Sequence, residues 1–86
     1  MTTVLIVDDE PEILRVARGY LEQGGYTVLG ARDGTAALEI VRREHPDLIV
    51  LDLNLPTPPG APPLDGIDVA RQVRQMAGAV AQTPII

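Results

Sequence analysis

Three aspartates are of a residue type, and stand at a spacing, that could bind a cation. Asp8 and Asp9 stand as a pair directly after the aliphatic run TVLIV, and Asp52 stands directly after a second apolar run, LIVL. If the fold brings these carboxylates together, they repel one another, and a proton or a cation must sit among them. Oxygen ligands without histidine or cysteine suit a hard cation, Mg²⁺ before Ca²⁺. The main-chain carbonyl of Asn54, two residues after Asp52, could bind the same ion.

Each aspartate also has a simpler structural interpretation. An aspartate pair that opens a helix is commonly an N-cap, and a single aspartate at a strand end is commonly a turn residue. The two features indicate a site only if the fold places them side by side. The surrounding elements therefore decide between the interpretations.

Strands and helices are predicted to alternate along the chain. Four short runs are β-branched and aliphatic, and the first and third are apolar throughout, as in a buried parallel sheet. These predicted strands are residues 3–7, 26–31, 48–51 and 83–86. Predicted helices lie between them, within residues 8–25, 32–47 and 65–78.

Residues that commonly begin and end helices support these assignments. Asp9 or Glu10 can cap the first helix, Pro11 suits its first turn, and Gly24 or Gly25 supplies its end. Asp33 can cap the second helix, and Pro46 closes that segment. One stripe of each helix is apolar and is expected to face the sheet: Ile13, Leu14, Ala17 and Leu21; Ala37, Leu38 and Val41; Ile67, Val69, Ala70 and Val73.

This alternation predicts an α/β fold, a flavodoxin-like doubly wound parallel sheet. Right-handed crossovers place helices on both faces and gather the carboxyl ends of the strands at one edge. In the strand order 2-1-3-4-5 the first and third strands are neighbours, so Asp8, Asp9 and Asp52 should meet where ligands bind in such sheets.

Four motifs in this order resemble the response-regulator receiver domain of two-component signalling: VLIVDDEPEIL, ARDGTAALE, PDLIVLDLNLP and DGIDVARQVR. The resemblance covers essentially residues 1–86. It implies that Asp52 is the phosphoacceptor and that Mg²⁺ is held by Asp9 directly and by Asp8 through water. It also implies that the main-chain carbonyl of Asn54 completes the metal shell.

The resemblance further implies a signalling switch and not a true enzyme. A sensor histidine kinase or a phosphotransfer protein would donate a phosphoryl group to Asp52, with Mg²⁺ neutralising charge. The phosphorylated domain would then change conformation to control an output.

A proline-rich stretch at residues 57–64 departs from the family pattern. Such stretches usually link domains, but this one lies between LDLNLP and DGIDVARQVR, about six residues longer than the family's connection. We therefore interpret it as an enlarged loop inside one domain. Two interpretations remain open, a tolerated surface insertion or a loop that shapes access to Asp52.

The second departure concerns residues that contact the phosphoryl group in the family. These are a Thr or Ser after the fourth strand and a Lys after the fifth, whereas this sequence reaches Ile86 and contains no Lys. Thr83 stands at the start of the predicted fourth strand and not after it, so it is not that hydroxyl, and His45 lies in a surface loop. We expect a truncated receiver whose apolar surface is covered by further chain, a homodimer or a domain-swapped partner.

Two other functions stay open. A pseudo-receiver that only docks proteins would need no phosphoacceptor. A haloacid-dehalogenase-like phosphatase also places an Asp after a first strand, but it needs a second Asp two residues later, where this chain has Glu10.

The composition of the chain excludes several classes of partner and site. The net charge is −5, so direct binding of nucleic acid by this segment is not expected. No cysteine is present, which excludes disulfides and zinc–thiolate sites. No apolar run approaches the roughly 18 residues of a membrane span, and a cytoplasmic location is the expectation.

Overall fold

The computed structural model describes residues 2–86. Three strands and three helices alternate and are followed by a 3-10 helix. Their bounds are β1 Thr3–Val7, α1 Pro11–Gln23, β2 Thr27–Ala31, α2 Gly34–Glu44, β3 Leu48–Leu51, α3 Gly66–Arg74 and the 3-10 helix Ala79–Gln82. The predicted α/β alternation is confirmed.

The sheet is parallel, with the strand order β2-β1-β3. Val7 at the end of β1 pairs with Ala31 at the end of β2 and with Leu51 at the end of β3. The three carboxyl ends therefore lie level, and the residue that follows each strand is at the same edge. This order is the one predicted for a flavodoxin-like sheet.

The predicted fourth strand is reduced to one parallel bridge, between Ile85 and Ile49. The main chain still bonds there, because the amide of Ile49 donates to the carbonyl of Pro84 and that of Ile86 donates to Ile49, both at 2.9 Å. Thr83 is excluded from the strand, since its own amide donates to Val80. The amide of Leu51 also donates to the carbonyl of Ile86 at 2.9 Å, whereas Pro84 has no N–H and pairs through its carbonyl alone.

The two faces of the sheet carry different helices. On one face, α2 and α3 pack over a core of buried aliphatic residues: Leu5, Val7, Ala31, Ala37, Leu38, Val41, Ile49, Val69, Val73 and Val80. On the other face α1 alone covers a smaller cluster of Val4, Ile6 and Val28, with Leu14, Ala17 and Leu21 packed against it. The second and third helices therefore share one face of the sheet.

Two residues of the predicted stripes do not face the core. Ile13 is 47% exposed and Ile67 is 50% exposed. Successive helical residues are about 100° apart, so a residue beside the buried stripe can point outward. Leu14 in α1 and Val69 in α3, from the same stripes, pack against the core as predicted.

The helix starts follow the sequence signals closely. The Asp33 carboxylate accepts a hydrogen bond from the amide of Ala36 at 2.8 Å, which caps α2. Asp65 and Asp68 form a reciprocal capping box at the start of α3. Glu10 occupies the N-cap position of α1 without a side-chain cap bond, and Pro11 is the first helical residue.

The end of α3 comes earlier than predicted. It ends at Arg74, and the chain then forms the 3-10 helix Ala79–Gln82. The Arg74 guanidinium donates to the carbonyls of Ala81 and Thr83 at 3.1 and 2.7 Å, which ties this turn to α3. Among residues 2–86, no helix is long and apolar enough to cross a membrane.

Candidate functional site

The three predicted aspartates meet at the carboxyl edge of the sheet. Asp8, Asp9 and Asp52 each offer a carboxylate oxygen, and these oxygens lie within 4.8 Å of one another. All three residues are half-buried. The structure therefore brings together the side chains that the sequence analysis selected.

Main-chain bonds fix where these side chains begin. The amide of Asp8 donates to the carbonyl of Ala31, and the amide of Asp52 donates to the carbonyl of Val7, both at 3.0 Å. These bonds extend the ladder between strands one residue beyond β1 and β3. The two aspartates are consequently held in register by the sheet itself.

Local bonds then orient two of the carboxylates. Asp8 Oδ1 accepts from the amide of Glu10 at 3.0 Å, and Asp52 Oδ1 accepts from the amide of Asn54 at 3.2 Å. Both are turns in which a carboxylate bonds the main chain two residues later. Each aspartate keeps its second oxygen for another partner, so turn formation and ligand binding are compatible.

Gly66 holds the Asp52 loop against α3. A Cβ added at Gly66 would overlap the main-chain carbonyl of Asp52 and lie 2.7 Å from Leu53 Cα. The amide of Gly66 also donates to the carbonyl of Leu53 at 3.0 Å. Only glycine permits this approach, so Gly66 positions the main chain that carries Asp52.

Gly34 permits a similar close approach, here between the start of α2 and both Leu64 and α3. A Cβ there would lie 2.7 Å from Leu64 Cβ and 3.0 Å from Val69 Cγ2. Each Asp-Gly pair thus combines a helix cap with a close contact at the first helical residue. The Asp-Gly pairs lie at helix starts in the sequence, and a glycine directly after a capping aspartate is the signal that could have predicted this packing role.

The proline-rich stretch lies in the loop between β3 and α3. The amide of Ala61 donates to the carbonyl of Pro58 at 3.0 Å, and Gly60 has φ of 80°. Pro59 followed by a glycine with positive φ is typical of a type II turn. Leu55 and Leu64, on either side of this turn, pack against the core. The loop is therefore anchored at both ends and folded back beside the acidic cluster.

Two other polar residues lie away from this edge, as expected. His45 is exposed and ends α2 in a left-handed conformation, with φ of 48°. Thr83 is buried, and its hydroxyl donates to the carbonyl of Pro46 at 3.4 Å, before the start of β3. Neither side chain faces the acidic cluster.

Comparison with known proteins gives a consistent result. A family model described as the response regulator receiver domain matches residues 4–86. The chain belongs to this family. Receiver domains are switch domains, so this membership supports the expectation of a switch and not an enzyme. It also decides against the phosphatase-like alternative.

The relatives are transcriptional regulators. The alkaline phosphatase synthesis transcriptional regulatory protein PhoP of Bacillus subtilis is 47% identical over 72 residues, which cover 84% of this chain and 28% of that protein. The matched region therefore spans less than a third of this relative.

Solved receiver structures have the same fold. The N-terminal domain of a response regulator receiver protein from Methanoculleus marisnigri aligns with a TM-score of 0.82 at 32% identity, covering 99% of this chain and 63% of that one. The response regulator TrrA of Thermotoga maritima, in complex with Mg²⁺-BeF, aligns with a TM-score of 0.74 at 32% identity, covering 87% and 60%.

Proposed function

We propose that this domain accepts a phosphoryl group on Asp52 and thereby switches the activity of a response regulator. The observation that carries the proposal is the meeting of three carboxylates at the carboxyl edge of β1 and β3. A phosphoacceptor needs a nucleophilic oxygen in a place where negative charge can be neutralised. Asp52 supplies the oxygen, and Asp8 and Asp9 supply ligands for a cation.

The donor set fits Mg²⁺. Three carboxylates without nitrogen or sulfur donors are typical of a hard cation that keeps several waters. Asp9 and Asp52 would bind it directly, Asp8 through water, and Asn54 through its main-chain carbonyl. Mg²⁺ would supply positive charge to the attacking carboxylate and to the phosphoryl oxygens. The complex of TrrA with Mg²⁺-BeF supports this, since beryllium fluoride is a chemical analogue of a phosphoryl group.

The proposed step is a displacement at phosphorus. An Oδ atom of Asp52 forms the new O–P bond while the P–N bond of a donor phosphohistidine breaks, and the electron pair stays on the imidazole nitrogen. The sheet contributes by fixing the main chain of Asp52, and the hydrogen bond from the amide of Gly66 to the carbonyl of Leu53 holds the next residue against α3. Alignment of this kind supplies much of the catalysis in phosphoryl transfer.

The phosphoryl donor would be a sensor histidine kinase or a phosphotransfer protein. The outer face of α1, which begins three residues after Asp8, offers such a protein an apolar surface. Ile13, Val16 and Tyr20 are 47%, 52% and 74% exposed. Their spacing of three and four residues places them on one stripe. Because a histidine kinase takes its phosphoryl group from ATP, the domain would act in the cytoplasm.

The alternative of a pseudo-receiver has a direct test. With acetyl phosphate and Mg²⁺, the full-length chain should gain one phosphoryl group, and Asp52→Asn should abolish the labelling. Asp47→Asn is the matched control, because Asp47 is exposed at the opposite end of β3 and the charge change is the same. Equal labelling of the Asp52 variant and the wild type would refute the phosphoacceptor.

A further inference from the structure

Among residues 2–86, Arg32 is the only arginine that lies outside a helix. The other arginines all lie in helices α1, α2 and α3: Arg15, Arg18, Arg42, Arg43, Arg71 and Arg74. Arg32 instead follows β2 directly, at the sheet edge that carries the acidic cluster. It is therefore the one arginine of the described residues that directly follows a strand at the edge where the three carboxylates lie.

The main chain on both sides of Arg32 is held in place. The carbonyl of Ala31 accepts from the amide of Asp8 at 3.0 Å, which ties the end of β2 to the acidic cluster. Asp33, on the other side, caps α2 through its bond from Ala36. The Arg32 side chain thus extends from a fixed base next to Asp8.

The guanidinium itself is weakly engaged. Arg32 Nη2 donates to the main-chain carbonyl of Asp9 at 3.5 Å, a long bond that costs little to break. The ion pairs found among residues 2–86 join Arg15 to Glu12 and Arg43 to Glu44, so Arg32 is in none of them. An exposed, unpaired guanidinium beside the cluster is free to bind an incoming anion.

A pocket lies between Arg32 and the proline-rich loop. Its volume is about 390 Å³, and its wall includes Asp9, Arg32 and Asp33 on one side and residues 56–59 on the other. Proline has no N–H, so the loop side offers few hydrogen-bond donors. Asp9 belongs both to this pocket and to the acidic cluster, which makes the two continuous.

Phosphoryl transfer to this cluster brings one anion to three others. We propose that Arg32 binds the oxygens of the phosphoryl group as it approaches Asp52, with residues 56–59 forming the opposite wall of the entry pocket. This assignment rests on the proposed phosphoacceptor function of Asp52. A guanidinium suits the role because its planar donors match phosphoryl oxygens in pairs.

Arg32 does not change which bonds form and break at phosphorus. Asp52 Oδ bonds to phosphorus, the donor's bond to phosphorus breaks, and the electron pair leaves with the donor. Arg32 exchanges its bond to the Asp9 carbonyl for bonds to phosphoryl oxygens and transfers no proton. Because it would lie near the metal ligands, it should weaken cation binding slightly while it favours phosphoryl binding.

These opposite signs define the test. In the full-length chain, with saturating Mg²⁺, Arg32→Gln should lower the rate of labelling by acetyl phosphate about tenfold, as expected for loss of a charge-assisted hydrogen bond at an exposed site. The same variant should bind Mg²⁺ as tightly as the wild type or more tightly. Arg32→Lys should restore part of the rate. Arg42→Gln, with the same charge change in the last turn of α2, should label at the wild-type rate.

The outcomes separate the two proposals. If the wild type labels on Asp52 and Arg32→Gln labels equally fast, the role of Arg32 is refuted and the phosphoacceptor stands. If Arg32→Gln loses rate and Mg²⁺ binding together, or melts earlier, Arg32 is structural and the assignment is again wrong. If the wild type does not label at all, the proposed function fails and the role of Arg32 fails with it.

Discussion

Replacement of Gly66 by alanine tests whether the contact between α3 and the Asp52 loop positions the phosphoacceptor. The added methyl group would overlap the carbonyl of Asp52 and lie 2.7 Å from Leu53 Cα and 3.0 Å from the carbonyl carbon of Asp52. All three atoms are main chain, so a change of rotamer cannot relieve the overlap. Either α3 or the Asp52 loop must move by about 1 Å to restore ordinary contact.

The expected magnitude follows from this displacement. Overpacking of this kind destabilises a domain by about 1–3 kcal/mol, and each 1 kcal/mol lowers the melting temperature of a domain of this size by about 4–8 °C. A shift of about 1 Å in a reacting group can reduce a rate about 100-fold. Gly66→Ala should therefore slow labelling of Asp52 far more than the loss of folded protein accounts for.

Gly19→Ala is the matched control. Gly19 lies in α1, and a Cβ added there meets nothing within 4 Å. Since alanine is favoured over glycine in a helix by about 0.8–1.0 kcal/mol, this variant should be stabilised and should label at the wild-type rate. The assay is thermal melting followed by labelling with acetyl phosphate below both transitions. If Gly66→Ala melts and labels as the wild type does, the positioning role of Gly66 is wrong.

Three further predictions concern the metal, the loop and the apolar surface. Mg²⁺ at 100 times its dissociation constant should stabilise the domain by about 2.7 kcal/mol, and Asp9→Ala should abolish this gain; a melting temperature that ignores Mg²⁺ would contradict the metal site. Shortening residues 57–64 by six residues should leave the fold intact and change the dephosphorylation rate, because the loop folds back beside the acidic cluster; an unchanged rate would favour a tolerated insertion. A groove of about 430 Å³, lined in part by Leu53, Ile67 and Ile86, is apolar. The 86-residue chain should therefore self-associate through this groove. A monomer by light scattering would argue against a second copy covering the groove.

Much of the fold was predictable because several local signals agree. The apolar runs that became β1 and β3 are too short for helices, and Asp33 and Asp65 cap the helices that follow β2 and β3. Alternation indicates a parallel sheet, and the flavodoxin-like strand order places β1 beside β3, so Asp8, Asp9 and Asp52 should meet at one edge. The acidic cluster could therefore be predicted from the order of elements together with the strand order of this fold class.

What the sequence did not reveal depends on tertiary contacts. Ile13 and Ile67 satisfy a helical stripe, but which edge of the stripe is buried depends on how the helix lies on the sheet. The short pairing at Ile85 reflects the competing bonds of Thr83, which a strand pattern does not show. Arg32 was overlooked because its position beside Asp9 arises only when β2 aligns with β1. Gly66 lies at the start of the predicted third helix, but its contact with Asp52 depends on the path of the β3–α3 loop.

The central claim, that Asp52 accepts a phosphoryl group, is tested most directly by chemical trapping. Borohydride reduces an aspartyl phosphate to homoserine, so the labelled full-length chain can be reduced, digested and sequenced by mass spectrometry. We expect homoserine at position 52, dependent on both the phosphodonor and Mg²⁺, and none at positions 8 or 9. Homoserine at another aspartate, or an unmodified Asp52 in protein that carries the label, would contradict it.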